Sequence, residues 1–364
     1  MAVPLFNTAA PLEPIDAEIR AKVNEIIDSK RFIFGPEVEA FEREFAAYVG
    51  TAHAVGVANG TDALLLALRA LGVGPGDEVV VPSFTFYASA EPIALLGAIP
   101  VWCDIDPTTF VSTAEQVREV LTPLTKAVIA VHLFGNVAPI DEIVALGVPV
   151  IEDAAQAAGT ILADGRRPGA LGSALATFSF FPSKNLGAFG DGGAVTTDDA
   201  DLADKIQTLR FHGSKDKRTF TEVGHNSRLD ALQAGILRVQ LPHLDTWADG
   251  RRAAGQAYED AGLGELVSLP VPTPGAAPAW HLYVVRSERA DELVSILKDA
   301  NIGTAAYYRV PVHRQPAMRG YVPTVDLAGT EEASRTNLAI PMSPVLTRAQ
   351  ADEVVAAVGA LAPA

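Results

Sequence analysis

The chain has 364 residues, 49% hydrophobic and 20% charged, with 30 glycines and 25 prolines, which fits a globular protein of about two domains with ample chain for a core. Its formal net charge of −16 argues against nucleic acid or an anionic membrane as partner, so any anionic substrate must be held by local positive groups. Cys103 is the only cysteine, which precludes an intrachain disulfide and fits a reducing, cytoplasmic setting. The first fourteen residues lack the pattern of a signal peptide, and no apolar run approaches the roughly 20 residues of a membrane span.

Taken in chain order, the stretch "DALLLALRAL" (62–71) has a helical apolar pattern that ends before Gly72 and Gly74. It is followed by "EVVVP" (78–82), a helical "ASAEPIALLG" (88–97), "IPVWCDI" (99–105), "KAVIAVHLFG" (126–135), "VPVIEDA" (148–154) and "LATFSFF" (175–181). Continuous apolar strands separated by helices indicate a largely parallel sheet covered on both faces. Ligands of such sheets bind beyond the carboxyl ends of the strands, which makes Asp153 and Ser179 positional candidates. A basic stretch, "SKDKRTFTEVGHN", then precedes the helical pattern "SRLDALQAGILRVQLPHL". The Pro-rich segment 269–280 reads as a loop, after which "HLYVVR" reads as a strand, "ADELVSILKDA" as a helix, and 347–361 as a final helix.

Three stretches carry candidate chemistry. In "NGTDALLLAL", Gly60 and Thr61 precede a helix, whose free N–H groups would suit an anion; Thr61 or Asp62 could equally be an ordinary N-cap. In "EDAAQAAG", Asp153 could aim a buried negative charge at a cation, although Gln156 three residues on also fits a capping box. In "FSFFPSKNLGAFGDGGA", Lys184 stands between an apolar strand and four glycines. It reads as a snorkelling surface lysine, a phosphate ligand, or a desolvated amine for covalent chemistry. A P-loop is excluded, because there the glycines precede the lysine. Metal-ligand spacings, G-x-S-x-G and H-E-x-x-H are all missing, so metalloprotease and serine-hydrolase readings have no support.

Together and in this order, these stretches resemble the DegT-like family of sugar aminotransferases, pyridoxal-phosphate enzymes of aminotransferase fold type I. The resemblance runs from about residue 5 to beyond 345 and includes "NGTDAL", "GPGDEVVVPSFTF", "VIEDAAQA", "FSFFPSKNLGAFGDGGA", "GHNSRLDALQAGIL" and "RVPVHRQPAM". It implies an α/β fold. A large cofactor-binding domain, residues 1–245, has a mostly parallel seven-stranded sheet between helices; a smaller α/β domain spans 246–364.

By this resemblance Lys184 holds pyridoxal 5′-phosphate as a Schiff base and, once freed, moves the proton between substrate and cofactor. A related dehydratase branch has histidine here, so the lysine speaks for transamination. Asp153 matches the carboxylate paired with the pyridine nitrogen, which makes the ring an electron sink, and Gln156 a residue near the ring hydroxyl. Phe86 matches the aromatic on the ring face, with Phe84 the candidate if the register slips by two. Gly60, Thr61 and Ser179 match the phosphate cradle. Asn226 matches an asparagine that reaches the phosphate in the neighbouring subunit, which implies a homodimer with a shared site.

For the substrate, Lys215, Lys217 and Arg218 are either a solvated turn or a grip on a nucleotide diphosphate. Arg228, Tyr308 and His313 lie in segments that line the sugar site in relatives, and Tyr307 replaces a histidine of relatives that handle sugar acids. The resemblance implies ping-pong transfer from L-glutamate, through pyridoxamine 5′-phosphate, to a dTDP- or UDP-linked keto sugar at C3. The competing readings are C4 amination, a keto-cyclitol substrate, and a non-catalytic cofactor-binding regulator.

Overall fold

The continuous apolar runs become strands of one sheet. A computed structural model describes residues 3–361; residues 1–2 and 362–364 of the two expected domains lie outside the described residues. The sheet comprises β1 (His53–Val57), β2 (Glu78–Pro82), β3 (Ile99–Cys103), β4 (Thr125–Val131), β5 (Val150–Asp153), β7 (Leu175–Ser179) and β8 (Gly193–Thr197), in the order β1-β8-β7-β5-β4-β2-β3. The short β6 (Ile161–Leu162) lies outside this sheet and pairs with β9 (Ala276–Ala277) in the Pro-rich segment. Strand β8 runs antiparallel to both its neighbours, and the other pairs are parallel. The carboxyl ends of β1, β2, β4, β5 and β7 therefore share one edge with the start of β8.

Burial on both faces explains why β2, β4, β5 and β7 read as unbroken apolar runs. Val79 and Val81 of β2 join a core with Leu66, Leu68 and Phe84, whereas Val80 between them joins the opposite core with Val128 and Ala130. The helix Gly60–Ala70 covers the first face by burying Ala63, Leu64, Leu66, Ala67 and Leu68. Each fully buried leucine there contributes about 1.5–3 kcal/mol of transfer free energy. At the other end of the sheet, Phe41 and Phe45 of the helix Pro36–Val49 pack edge-on against Phe178 and Phe180.

The helical stretch 88–97 is shorter than its pattern: a single turn, Tyr87–Ser89, and a short helix, Glu91–Leu95. Pro92 restricts it to a helix start, and Gly97, at φ +71°, closes it. After the helices Ala231–Gln240 and Leu244–Asp260, β10 (Tyr283–Arg286) and β11 (Asn337–Ile340) pair antiparallel. The helices Leu244–Asp260, Ala290–Asp299 and Arg348–Gly359 share a separate core with this pair. Val312 N–H donates to Ser83 O at 2.9 Å, and the Trp102 indole donates to Tyr321 O at 2.7 Å, tying segment 308–321 onto the sheet edge. Among the described residues no helix is long and apolar enough to cross a membrane.

Candidate active site

At the shared strand edge lies a pocket of about 820 Å³. Gly60, Thr61, Phe86, Asp153, Gln156, Ser179, Lys184 and Tyr308 all line it.

The pocket begins where β1 turns into the helix Gly60–Ala70. The cap is Asn59, whose side chain accepts from Asp62 N–H at 2.8 Å, rather than Thr61 or Asp62. With the capping role taken by Asn59, the first-turn N–H groups of Gly60 and Thr61 have no intrahelical acceptor and are available to an anion. The glycines here answer to close approach. A Cβ on Gly193 would stand 2.5 Å from the Asn59 backbone, and one on Gly60 would stand 2.7 Å from Ser179 Cβ.

Asp153 ends β5 and is 5% exposed. No helix starts there. Instead, Ser89 Oγ donates to its Oδ2 at 2.7 Å and Ala155 N–H to its Oδ1 at 3.2 Å. Gln156 forms no capping box either; its Oε1 accepts from Phe134 N–H at 2.7 Å, with Nε2 3.5 Å from the Tyr308 hydroxyl. The neighbouring Glu152 points to the opposite face, where it accepts from His132 Nε2 at 2.9 Å, Gly169 N–H at 2.7 Å and Ser173 Oγ at 2.6 Å. Since His132 Nδ1 accepts from Ala138 N–H, its Nε2 carries the proton given to Glu152. That buried knot fixes the β5 end that carries Asp153.

Lys184 sits in the turn after β7, its N–H on Phe181 O at 2.8 Å. Among the described residues its Nζ has no hydrogen bond or ion pair. Burial pushes the ammonium down to about 8, while the Asp153 carboxylate pulls the other way. Of the three readings of this lysine, its place in the pocket wall beside Asp153 and its partial burial speak against a snorkelling surface residue. A half-buried amine facing Asp153 across a pocket suits covalent chemistry.

The two phenylalanines separate cleanly. Phe84 is fully buried and stacked on Phe110 at 5.8 Å, whereas Phe86 is 55% exposed and lines the pocket. Tyr308 packs against both.

Five other candidates are outside this wall. Lys215 pairs with Asp204 at 2.5 Å on the surface, and Arg218 is exposed in a turn whose backbone N–H groups are capped by Asp216. Arg228 is half-buried, and Asn226 is exposed, bridged to Phe211. His313 is 2.6 Å from Ser83 Oγ through Nδ1 and 3.5 Å from Glu331 through Nε2, at the seam between segment 308–321 and the sheet. Sequence reasoning missed Ser89 and His281, both in the wall. Neither stands in a recognisable pattern; only the fold brings them in.

A family-wide sequence profile, that of the DegT/DnrJ/EryC1/StrS aminotransferases, matches residues 13–359. The chain belongs to this family. A dTDP-3-amino-3,4,6-trideoxy-alpha-D-glucose transaminase of Streptomyces venezuelae is 47% identical, the match covering 98% of this chain and 95% of the relative. A pleiotropic regulatory protein of Geobacillus stearothermophilus is 44% identical over 98% of this chain and 97% of its own length. Among solved structures, S. venezuelae DesV in complex with a ketimine intermediate superposes with a TM-score of 0.94 at 46% identity, covering 98% of this chain and 97% of that one. The fold is thus that of the aminotransferases in this family, and the protein is an aminotransferase.

Proposed function

We propose that this aminotransferase moves the amino group of L-glutamate to C3 of a keto sugar linked to dTDP or UDP, with pyridoxal 5′-phosphate as cofactor. The observation that carries this reading is the unpaired, desolvated Lys184 amine facing Asp153 in a pocket closed at one end by a free helix N-terminus. Those residues fit the cofactor. The cradle that a Cβ on Gly60 would fill suits its phosphate, Asp153 its ring nitrogen, the exposed face of Phe86 its ring, and Lys184 its aldehyde. The C3 assignment is supported by the S. venezuelae transaminase, whose name places the amino group at C3.

When bound, the cofactor supplies a carbonyl for the amino group and a protonated ring that withdraws electrons from the reacting carbon. The protein's residues do the rest. Asp153, oriented by the hydrogen bonds from Ser89 Oγ and the Ala155 N–H, would hold a proton on the ring nitrogen. Gln156 and Tyr308, in the same wall, would help to orient the ring. Gly60, Thr61 and Ser179 hold the phosphate through N–H and O–H donors. Lys184, as a free amine, takes a proton from one carbon and returns it to another, a task suited to a base that titrates near 8 rather than 10.5.

The site is further proposed to be shared across a homodimer. Lys184 is the one lysine or arginine of the described pocket wall, which also carries Asp62, Asp153 and Asp191. A dianionic nucleotide sugar and glutamate need more positive charge than that. Asn226, Lys215, Arg218 and Arg228 would face a second copy's pocket, and the exposed Phe181 of the pocket wall would be covered there. A two-domain division at residue 245 is supported by the separate core around β10 and β11, and a cytoplasmic setting by the single, buried Cys103.

The regulatory name of the Geobacillus relative favours one second reading, a cofactor-binding regulator without turnover. Adding L-glutamate to the loaded protein separates the two. The transaminase loses its Schiff-base absorption and releases 2-oxoglutarate, whereas an unchanged spectrum supports the regulator.

A further inference from the structure

His281 is a buried pocket residue that the family motifs quoted above do not use. It is 4% exposed, lines the same pocket as Lys184, and its Nδ1 has no hydrogen-bond partner among the described residues. A buried polar atom without a partner is uncommon and calls for one.

The backbone around it is held from four sides. Ala279 N–H donates to Thr160 Oγ1 at 2.9 Å, and Asn185 Nδ2 donates to Ala279 O at 3.0 Å. Arg251 Nη1 reaches Trp280 O at 3.1 Å and His281 O at 3.5 Å. Gly135 packs so closely that a Cβ there would stand 2.9 Å from His281 N. The ring itself stacks on Phe6 at 6.2 Å and 30°. Asn185 is the residue directly after Lys184, so its side chain ties the turn that carries the lysine to the segment that leads into His281.

Burial, then the positive charges of Lys184 and Arg251, hold the imidazole well below its usual range, and therefore neutral. An orphaned lone pair costs less than an orphaned N–H, which places the proton on Nε2 and leaves Nδ1 as an acceptor. Arg251 does not fill it: its Nη1 donates to the two carbonyls, and its Nε makes no hydrogen bond to the ring. Lys184 Nζ, on a flexible four-carbon stem, is a side-chain donor in the same wall that has no acceptor among the described residues.

We propose that His281 is a positioning residue for Lys184: its Nδ1 accepts a hydrogen bond from Nζ whenever that amine is free, and holds it aimed across the pocket. An amine parked on a fixed acceptor has fewer rotamers to search before it takes up a proton. The proposal rests on Lys184 being the reactive amine, but its test needs neither cofactor nor substrate, so the two can fail separately.

The full chain, freed of cofactor and labelled with nitrogen-15 histidine, is examined by long-range proton–nitrogen correlation, with His281→Asn identifying the His281 signals. In the wild type, Nδ1 should show the upfield shift of a hydrogen-bonded acceptor, and in Lys184→Met it should move to the position of an unbonded imidazole nitrogen. An Nδ1 signal indifferent to Lys184→Met, or a doubly protonated ring, overturns the proposal. In the loaded enzyme, His281→Leu should lower kcat by roughly ten- to a hundredfold, the scale of a misplaced reacting group, with the KM for the nucleotide sugar little changed. His281→Asn, whose amide oxygen takes the Nδ1 position, should retain most of the rate; equal losses in the two variants contradict the assignment.

Discussion

Gly60 lies against Ser179 so closely that a Cβ built on it would stand 2.7 Å from the serine Cβ. The start of the helix Gly60–Ala70 is thereby pressed onto the end of β7 (Leu175–Ser179), and helix and strand together deliver one anion site. Gly60→Ala should push helix and strand apart. We expect cofactor affinity to fall at least tenfold, with a stability loss of about 1–3 kcal/mol from overpacking. Titration of the variant with pyridoxal 5′-phosphate checks this; unchanged affinity contradicts the cradle.

Lys184→Ala should remove both the visible Schiff-base absorption and all turnover while the fold survives. Lys184→Arg should fail in the same way, because a guanidinium remains protonated and is no nucleophile at neutral pH. The absorption spectrum and the circular dichroism of each variant provide the check. Turnover by the alanine variant removes the lysine from the chemistry.

The Lys184 amine has a directional pH signature. Burial brings its titration down to about 8 from 10.5, and Asp153 opposes that shift. Reductive methylation of Lys184 in the cofactor-free chain should therefore gain half its maximal rate near pH 8, slowing as pH falls and the ammonium forms. Asp153→Asn removes the carboxylate that favours the ammonium, so the midpoint should move lower still. A midpoint near 10.5, or an upward move in the variant, contradicts the pairing. In the loaded enzyme, Asp153→Asn should cut transamination by orders of magnitude and Ser89→Ala by a smaller factor, since one hydrogen bond to a charged group is worth about 1.5–3 kcal/mol.

Much of this was readable before the fold was known, for a physical reason in each case. Strands β2, β4, β5 and β7 are buried on both faces, so they are unbroken apolar runs, whereas β3 at the sheet edge leaves Ile99 exposed. Strands β1 and β8 escaped that reading because "HAVGV" and "GAVTT" mix small and polar residues, and β8 starts on a glycine whose Cβ would strike Asn59. Lys184 and Asp153 were visible as chemistry-bearing residues at strand ends. The true cap, Asn59, was overlooked in favour of Thr61 and Asp62, since all three are good capping residues and only backbone geometry chooses. His281 and Ser89 carry no local pattern; they enter the site because distant segments close over it. His313 and the basic loop are seam and surface residues in this chain, and the proposed dimer is what would bring Asn226 and the basic loop to a site.

That dependence can be tested by mixing. Lys184→Ala and Asn226→Ala chains, each inactive alone, should regain activity after subunit exchange if Asn226 serves the partner's site. A mixed dimer would hold one intact and one doubly damaged site, giving at most about a quarter of the wild-type rate per chain in a statistical mixture. No recovery after verified exchange would mean that both residues serve a site from the same chain.

The most direct test of the account follows the amino nitrogen itself. The loaded enzyme is given nitrogen-15 L-glutamate and either a 3-keto or a 4-keto dTDP-hexose, and the new carbon–nitrogen bond is located by NMR. The account predicts labelled nitrogen on C3 of the 3-keto sugar, with one 2-oxoglutarate released per amino sugar formed. Label on C4, or no transfer from glutamate to either sugar, would contradict it.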